Sequence, residues 1–281
     1  MKLWVTGASG LLGSALLAKA GGIGTNRKEA DIADIESLRR FVKLHPDITH
    51  IVNCAAFSLV DLAETHKEEA YLANAKGPEN LGRIASEIGS RLIHISTDYV
   101  FPGAGNKPLK EEDPTGPCNH YGKTKLEGEK LLLSAFPNAC ILRVSWLFGK
   151  GGKNFIARIM DLFKAQKEVR LTADQWGRPT FVPDLVQVIL KMLDLSGLYQ
   201  FANSGVTSKY EFGLALFNEA RKMGFPLKAE SILPVPGSTF PSSCKRPAYS
   251  AFDTSKIEKK LGVTPRHWQE ALDEHAKATF I

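Results

Sequence analysis

Cysteine is scarce in this chain of 281 residues, which contains only four. They are widely separated, at Cys54, Cys118, Cys140 and Cys244. No Cys-x-x-Cys pair and no histidine at ligand spacing accompanies them, which excludes a zinc ribbon and a dense disulfide framework. We therefore interpret the four thiols as reduced and structural, and we predict no metal site.

Long hydrophobic runs are also lacking. No apolar stretch approaches the roughly 20 residues that a membrane-spanning helix needs. The apolar segment at the N-terminus is too short for a signal peptide and has the pattern of a β-strand. The sequence therefore predicts no membrane association and a cytoplasmic location.

The third lack is a basic stripe of the kind that binds nucleic acid. The net charge is +6, from 36 Lys and Arg against 30 Asp and Glu, but acids are interspersed with the bases, as in 256–260. Because no aromatic residues alternate with clustered bases, we predict no nucleic-acid partner. A small anionic ligand such as a nucleotide fits the positive charge equally well. The hydrophobic content of 43% is that of an ordinary globular protein.

Glycine, in contrast, is concentrated near the N-terminus. A short apolar run ends at Gly7, and Gly10 and Gly13 follow at intervals of three residues. An apolar-periodic helix containing Leu11 and Leu12 begins at once. Glycines in a strand–turn–helix context permit a tight turn, and the helix N-terminus offers free amides to a pyrophosphate. The segment predicts a dinucleotide site.

Up to residue 150, short apolar runs alternate with amphipathic helical patterns. The predicted strands are Leu3–Thr6, a brief one near Ile23, His50–Cys54, Arg91–Ser96 and Ala139–Val144. The predicted helices are Leu11–Lys19, Ile35–Leu44, Lys67–Ile88 and Tyr121–Phe136. This alternation predicts an α/β, Rossmann-like fold with a doubly wound parallel sheet, whose ligands bind at the carboxyl ends of the strands.

The pattern loosens after residue 150. Helices are predicted at Phe155–Gln166, Asp184–Leu193, Lys209–Met223 and around Trp268–Ala278, with a short strand at Tyr199–Phe201. The proline-rich stretch 234–247 does not suit a central strand. We predict a dinucleotide-binding domain over 1–150 and a smaller C-terminal α/β substrate domain over 151–281, with segments of the latter free to return to the first domain.

Tyr121 and Lys125 are spaced to act together. Residues four apart share one face of a helix, so the phenol and the ammonium can reach one bound molecule. A nearby ammonium favours the phenolate, which predicts a lowered pKa for Tyr121 and a role in proton transfer. Thr97 lies where a predicted strand runs into a loop, and its hydroxyl is placed to bond a substrate oxygen. These three residues are the predicted catalytic set.

Several blocks together resemble one known family. The glycine turn, Asn53-Cys54-Ala55-Ala56, Ser96-Thr97-Asp98-Tyr99-Val100-Phe101 and Tyr121-Gly-Lys-Thr-Lys125 resemble an extended short-chain dehydrogenase/reductase. Within that class, the chain resembles the family of dTDP-4-dehydrorhamnose reductases. The narrower match comes from Val60-Asp61 with Ala63-Glu64, Ser145-Trp146, the block 174–180, the block 197–205 and Arg246-Pro247-Ala248-Tyr249-Ser250.

The resemblance implies NADPH-dependent reduction of the 4-keto group of a dTDP-sugar, from dTDP-4-dehydro-L-rhamnose to dTDP-L-rhamnose. Tyr121 would give the proton, and Lys125 would hold the nicotinamide ribose. Substrate contacts would come from Ser58, Val60, Asp98, Tyr99, Trp146 and Arg246, with the nucleotide near 174–180 and Arg246. Cofactor contacts would come from Gly7, Gly10, Leu11, Leu12, Gly13, Arg27, Asp31, Ile32, Cys54, Ala55, Ala56, Tyr121 and Lys125. Asn74 matches a helix asparagine that supports the family's proton relay.

The choice of cofactor is predicted from the segment after the second strand. An NAD-selective site places an acid there to bond the ribose hydroxyls. This chain has Arg27 and Lys28 instead, and arginine offers a bidentate fork to a 2′-phosphate. We predict NADPH, while Glu29 and Asp31 are close enough to leave NADH use open.

Two other hypotheses about the function stay open. One is a nucleotide-sugar epimerase or dehydratase on the same fold. The other is a non-catalytic NADP-binding regulatory subunit like the β subunit of methionine adenosyltransferase. The chain departs from the reductase pattern at Leu62, where a basic residue is common, and at Lys209, where tryptophan is common. The sequence leaves a homodimer open.

Overall fold

A parallel sheet of six strands forms the centre of the protein, for which the computed structural model describes residues 1–151 and 154–280. The strands in chain order are β1 Leu3–Thr6, β2 Ile23–Thr25, β3 His50–Asn53, β4 Arg91–Thr97, β5 Cys140–Val144, β6 Leu147–Phe148, β7 Glu168–Thr172, β8 Trp176–Gly177, β9 Thr180–Phe181, β10 Gly197–Phe201, β11 Thr207–Ser208 and β12 Ser231–Val235. The helices are α1 Leu11–Ala20, α2 Ile35–Leu44, α3 Lys67–Tyr71, α4 Gly77–Ile88, α5 His120–Ala135, α6 Phe155–Ala165, α7 Val182–Lys191, α8 Lys209–Lys222, α9 Ser255–Leu261 and α10 Trp268–Phe280.

The strand order places a ligand crevice at the middle of the sheet. The order is β2-β1-β3-β4-β5-β10, and every neighbouring pair is parallel. The chain leaves β1 toward β2 and returns on the other side of β1 to form β3. Such a reversal opens a crevice beyond the carboxyl ends of β1 and β3. The predicted doubly wound, Rossmann-like fold is confirmed.

Alternation along each strand produces two apolar faces, because successive side chains point to opposite sides of a sheet. Leu3, Val5, Val52, Ile93 and Leu142 pack against α1 and α7. On the opposite face, the intervening residues pack against α2, α4 and α5, and these are Trp4, Ile51, Leu92 and Ile141. Both faces of the sheet are therefore covered by helices, as parallel sheets require.

A second apolar core lies in the C-terminal part. It joins α6, α8 and α10 to β7, and Phe163, Phe212 and Leu216 are among its buried members. β7 pairs in parallel with β12, which includes Pro234. Because this is a two-stranded sheet, β12 has a free edge, where proline is tolerated. β7 and β12 are absent from the sequence-based prediction, which treats 234–247 only as proline-rich.

The chain after residue 150 also contributes to the central sheet. β10 pairs with β5 over its whole length, from Gly197 opposite Cys140 to Phe201 opposite Val144. α7 packs on the same face as α1. At least two segments after residue 150, α7 and β10, therefore return to the central sheet. The exact boundary between the two predicted domains stays a prediction.

The predicted helix over Lys67–Ile88 contains a local change of winding. A turn of π-helix, Leu72–Lys76, separates α3 from α4, and Gly77-Pro78 follows it. π-Turns inside helices are rare and frequently lie at functional sites. This one places the main-chain oxygen of Asn74 against α5, where a Cβ on Gly128 would lie 2.0 Å from it.

Candidate active site

The glycine turn after β1 touches the chain that follows β3. Gly7 has φ +68°, and a Cβ there would lie 2.6 Å from the nitrogen of Ala55. The amide of Cys54 donates to the Thr6 oxygen at 3.2 Å, and burial raises the pKa of the Cys54 thiol to about 12. The predicted cofactor residues 54–56 are thus brought beside the turn, at the crevice in the sheet.

The N-terminus of α1 is left open for an anion. Gly10 is its N-cap and supplies no side-chain cap, and no acidic residue stands in the first turn. The first amides of a helix have no intrahelical partner and carry the positive end of its dipole. A Cβ on Gly13 would lie 2.3 Å from the oxygen of Gly7, so the turn stays tight only with glycine. Leu11 and Leu12 begin the helix, and their amides suit a pyrophosphate.

Arg27 extends from the loop after β2 at the same edge of the sheet. Its Nε donates to Asp31 at 3.0 Å, while 76% of its side chain is exposed. Glu29 is turned back on the loop, where it accepts the amide of Asn26 at 2.7 Å. The guanidinium keeps its two terminal nitrogens for a ligand phosphate, because Asp31 takes only Nε and Glu29 is engaged by the loop amide.

Ile32 lies below this loop and is buried at 6% exposure. Its main-chain oxygen accepts from Asn80 at 2.9 Å, and its side chain packs on Gly77. Asp31 accepts the amide of Ala33 at 3.0 Å in addition to Arg27. The pair at 31–32 is thus held in place beside Arg27, where the family resemblance implies cofactor contacts.

Tyr121 stands in the first turn of α5. Asn119 caps this helix by accepting the amide of Gly122 at 2.8 Å. A Cβ on Gly122 would lie 2.2 Å from the Tyr99 oxygen, so the helix start is pressed against the loop after β4. Burial raises the pKa of Tyr121 to about 12, and the nearby Thr97 hydroxyl opposes that rise in part. Tyr121 is therefore a phenol, with its proton in place, at neutral pH.

Lys125, one turn further along α5, points into the protein. Its Nζ donates to the Ile95 oxygen at 2.7 Å and lies 3.2 Å from Nε2 of His94. Burial lowers the pKa of Lys125 to about 8, and burial together with the Lys125 charge holds the pKa of His94 well below its usual value. His94 is in turn 2.9 Å from Asn53.

The prediction that Lys125 lowers the pKa of Tyr121 is wrong for this structure. Helical spacing puts both residues on one face, but the ammonium is held by Ile95 and His94 on the sheet. Burial then dominates the phenol and moves its pKa upward. Spacing alone gives no measure of burial, which is why the sequence indicates the opposite direction.

Asp98 is buried beside Thr97 and is hydrogen-bonded to residues 236–254, the segment between β12 and α9 that is called the C-terminal segment below. Its carboxylate accepts from Ser250 at 2.6 Å and from Thr97 at 3.1 Å. Burial raises the pKa of Asp98 to about 6. Ser250 is in turn fixed by its amide, which donates to the Trp176 oxygen at 2.9 Å. A substrate at Thr97 would therefore meet a carboxyl group whose charge changes slightly below neutral pH.

Trp146 and Tyr99 provide aromatic surface near this carboxyl. Trp146 is the one non-glycine residue with positive φ among those described, at +45°, and residues in such conformations cluster at functional sites. Its ring lies on Gly177, where a Cβ would be 2.8 Å from the indole. The ring of Tyr99 meets that of Tyr121 edge-on, with centroids 5.6 Å apart. The two aromatic residues flank the approach to Thr97 and Tyr121.

Arg246 joins the C-terminal segment to the loop after β3. It donates two hydrogen bonds to Asp61, at 2.8 and 2.7 Å. Burial alone would lower the pKa of Arg246, but Tyr99 and Asp61 outweigh it and raise the pKa. Ser58, which is exposed, and Val60, which is half-buried, lie on the same loop as Asp61.

Asn74 is fully buried, and its side chain is occupied within the protein. It accepts the amide of Phe57 at 2.9 Å and donates to the Phe57 oxygen and to Thr124, both at 3.1 Å. The side chain thus fixes the loop after β3 against α5. A role in the proton relay stays a prediction.

Three further residues of the site are absent from the sequence-based set. His94 is signalled by a lone histidine inside an apolar strand, and Lys209 by its departure from the family pattern. Ser250 has no local signal, because its partner Asp98 is 152 residues away.

Two features are not found in the described residues. Over 1–151 and 154–280, no group of three or more His, Cys, Asp or Glu side chains is placed to hold a metal ion. In the same ranges, no helix is long and apolar enough to cross a membrane.

The crevice at the reversal of strand order carries a glycine turn after β1. Beside it lie Thr97 at the end of β4 and Tyr121 and Lys125 on α5. This arrangement is that of an extended short-chain dehydrogenase/reductase. This class comprises nicotinamide-dependent oxidoreductases with a Rossmann-type fold.

Comparison with known proteins narrows this class. The family model described as RmlD substrate binding domain matches residues 1–280, and the chain belongs to this family. It is 39% identical over 281 residues to the spore coat polysaccharide biosynthesis protein SpsK of Bacillus subtilis, covering 98% of this chain and 96% of that one. It is 38% identical over 258 residues to dTDP-4-dehydrorhamnose reductase of Escherichia coli, covering 89% and 86%.

The solved structures agree with the sequence relatives. The crystal structure of dTDP-4-dehydrorhamnose reductase from Bacillus anthracis, in complex with NADP, superposes with a TM-score of 0.93 at 33% identity. It covers 99% of this chain and 100% of that one. The resemblance to the dTDP-4-dehydrorhamnose reductase family, stated from motifs alone, is confirmed.

Proposed function

We propose that this protein reduces the 4-keto group of dTDP-4-dehydro-L-rhamnose to give dTDP-L-rhamnose, with NADPH as reductant. The observation that carries the proposal is the sequence similarity of this chain to known reductases. Proteins 37% and 38% identical to it over 96% and 89% of its length are dTDP-4-dehydrorhamnose reductases. A solved reductase that is 33% identical is in complex with NADP. Another relative, the spore coat polysaccharide biosynthesis protein SpsK, supports a role in polysaccharide biosynthesis.

The residues at the crevice fit this cofactor. A Cβ at Gly7 would collide with Ala55 and one at Gly13 with the Gly7 oxygen, so only glycine keeps this turn tight, and the uncapped start of α1 suits the pyrophosphate of a dinucleotide. Arg27 is exposed beside the second strand, where a 2′-phosphate discriminates NADPH from NADH. Lys125 would hold a hydroxyl of the nicotinamide ribose, as the family resemblance implies. When bound, NADPH supplies the hydride.

The proton comes from the protein. A tyrosine keeps its proton at neutral pH even at its ordinary pKa of about 10, so Tyr121 would donate that proton to the carbonyl oxygen as the oxygen gains charge. Burial raises the pKa of Tyr121 to about 12, which makes the phenol a weaker acid before the ligands bind. Thr97 bonds the same oxygen and fixes the sugar in line with Tyr121. Asp98, tied to Ser250, and Tyr99 and Trp146 then bound the space around the sugar.

The nucleotide end of the substrate belongs on the far side of Trp146. A cleft of about 340 Å³ opens there, and Asp174, Trp176, Ala248 and Tyr249 are among its lining residues. Thr97, Tyr121 and Lys125 lie outside it, so it suits the nucleotide and not the reacting carbon. Arg246 and the loop carrying Ser58 and Val60 lie between the two ends.

The test is consumption of NADPH, followed by absorbance, with purified protein and freshly generated dTDP-4-dehydro-L-rhamnose. Loss of the reduced cofactor together with formation of dTDP-L-rhamnose is the expected result. Tight NADPH binding without turnover of this or related keto sugars would instead indicate a regulatory dinucleotide-binding subunit. Formation of an epimerised or dehydrated sugar without net NADPH loss would indicate the epimerase or dehydratase reading.

The proposal extends to the setting of the enzyme. A cytoplasmic location follows from the location of its nucleotide-sugar substrate and is tested by cell fractionation. A homodimer is tested by light scattering of the purified protein.

A further inference from the structure

Lys209 is a half-buried charge that the proposed reaction does not yet use. It is the first residue of α8 and is surrounded by groups from distant parts of the chain. Its Nζ donates to Oε1 of Gln175 at 2.5 Å and lies 5.7 Å from the centre of the Trp146 ring. The ammonium therefore projects toward the proposed substrate side of the site.

The neighbours of Lys209 do not neutralise it. Within residues 1–151 and 154–280 no carboxylate lies at ion-pair distance, and its hydrogen-bond partner, Gln175, is a neutral amide. A lysine at the start of a helix also meets the positive end of the helix dipole. Withdrawing such a charge partly from water without an acid bonded to it is costly, and it leaves the ammonium available to an anionic ligand.

Other cations converge on the same point. Burial lowers the pKa of Lys209 most, repulsion from Arg246 and Arg158 adds to that lowering, and attraction by Asp98 and Asp61 opposes it. Asp61 is already bonded twice to Arg246, and Asp98 is bonded to Ser250 and Thr97. Three cations thus face two engaged carboxylates, which leaves a net positive charge in a partly buried cleft. Such a cleft attracts an anion of more than one charge.

The position of the cluster within the site selects the anion. On one side is Asp98, which adjoins Thr97 where the sugar reacts. On the other is Gln175, which stands in sequence between Asp174 and Trp176, two residues that line the cleft proposed for the nucleotide. The group that lies between sugar and nucleoside in a nucleotide sugar is the diphosphate. A lysine has three donors, and two of them remain after the bond to Gln175.

We propose that Lys209 binds the diphosphate of the nucleotide-sugar substrate, together with Arg246. This inference rests on the proposed function, since it takes a nucleotide sugar as the ligand. It makes Lys209 a substrate-binding residue that sets affinity for the diphosphate and not the rate of hydride transfer.

The test compares Lys209→Met, which removes the charge and keeps the length, with Lys209→Arg, which keeps the charge. Calorimetric titration with dTDP and with thymidine separates the diphosphate from the nucleoside. In Lys209→Met the Kd for dTDP should rise roughly 10–100-fold, the scale of a charged hydrogen bond, while that for thymidine is unchanged. In Lys209→Arg the Kd should stay within a few-fold of the wild type.

Kinetics give a second readout. In Lys209→Met the KM for dTDP-4-dehydro-L-rhamnose should rise with the dTDP Kd, while kcat changes little, as expected for lost binding shared by ground and transition states. Lys222→Met is the matched control, because Lys222 is on the same helix with 71% of its side chain exposed, and it should behave as wild type. Unchanged NADPH affinity in every variant shows that the fold is intact.

The outcomes separate the two proposals. If the wild type reduces the keto sugar but Lys209→Met binds dTDP as tightly as the wild type, the role of Lys209 is overturned and the proposed function stands. If the wild type neither binds dTDP nor reduces the sugar, both are overturned. Should Lys209→Met fail to fold, Lys209→Gln removes the charge while keeping a polar partner for Gln175, and the same comparison applies.

Discussion

The proposed cofactor side of the site is built mainly from main chain, whereas the proposed substrate side is built from side chains. Gly7, Gly13 and the open start of α1 form the first within a dozen residues of sequence. The second needs Asp61, Asp98, Trp146, Lys209 and Arg246, which come from five separate segments. A site formed by main-chain atoms depends on the backbone conformation and little on the identity of most side chains. The substrate side depends instead on the identity of its side chains.

The largest expected effect is at the boundary between these sides. Tyr121→Phe should lower kcat by roughly 10²–10⁴, the usual contribution of general acid catalysis, because the proton donor is removed. NADPH affinity, measured by fluorescence titration, should change little, because phenylalanine keeps the ring and removes only one hydroxyl from a cofactor with many proposed contacts. Tyr71→Phe is the matched control, since Tyr71 is 40% exposed and away from Thr97. A variant Tyr121→Phe with the wild-type rate would remove this residue from the mechanism.

Arg27 is the one charged side chain proposed to decide the cofactor. Arg27→Ala should weaken NADPH binding by about 1.5–3 kcal/mol, the range for hydrogen bonds to charged groups, and should affect NADH much less. Arg40, 70% exposed on α2, provides the control Arg40→Ala. Equal losses of affinity for the two cofactors would refute contact with the 2′-phosphate.

Two glycines with nearly the same backbone conformation test the main-chain side. Gly7 has φ +68° and no room for a Cβ, whereas Gly89 has φ +66° and open space. Both substitutions to alanine share the conformational strain, but only Gly7→Ala adds overpacking. It should therefore lower the free energy of unfolding by about 1–3 kcal/mol more than Gly89→Ala, measured by urea denaturation. It should also weaken NADPH binding, which Gly89→Ala leaves intact.

The smallest effect is expected from pH on the substrate side. Burial, aided by Arg246, lowers the pKa of Lys209 to about 8, so its positive charge is lost as pH rises through that value. The affinity for dTDP should therefore fall up to about tenfold between pH 7 and 9. Lys209→Arg should abolish this dependence, because arginine stays charged. Asp98, with a pKa near 6, is already ionised over this range.

The local features of the fold and site were predictable from sequence. The turn is predictable because Gly7 and Gly13, which contact each other in it, are close together in the sequence. The confirmed parallel sheet is predictable from the alternation of strands and helices. β12 was missed because Pro234 argues against a strand and only its pairing with β7 at a free edge permits one. The direction of the Tyr121 pKa was missed because burial is set by the loop after β4 and not by spacing along α5.

The substrate side was the harder part for the same reason. Trp146 and Arg246 were indicated by family motifs, yet the cluster around Lys209 appears only when α8, β8 and the C-terminal segment meet. The bond between Asp98 and Ser250 spans 152 residues, and no periodicity in the sequence reports it. Residues that cooperate across such separations are found by structure.

The strand β10 makes the sheet a product of both halves of the chain. A ribosome must deliver residue 191 before α7 can cover the face shared with α1, and residue 201 before β5 gains its outer neighbour. Until then, the growing chain exposes the apolar side chains of β5 and a row of unpaired amides at its edge. The segment 1–150 by itself therefore lacks both α7 and β10, and completion of the sheet during synthesis waits for sequence encoded far downstream.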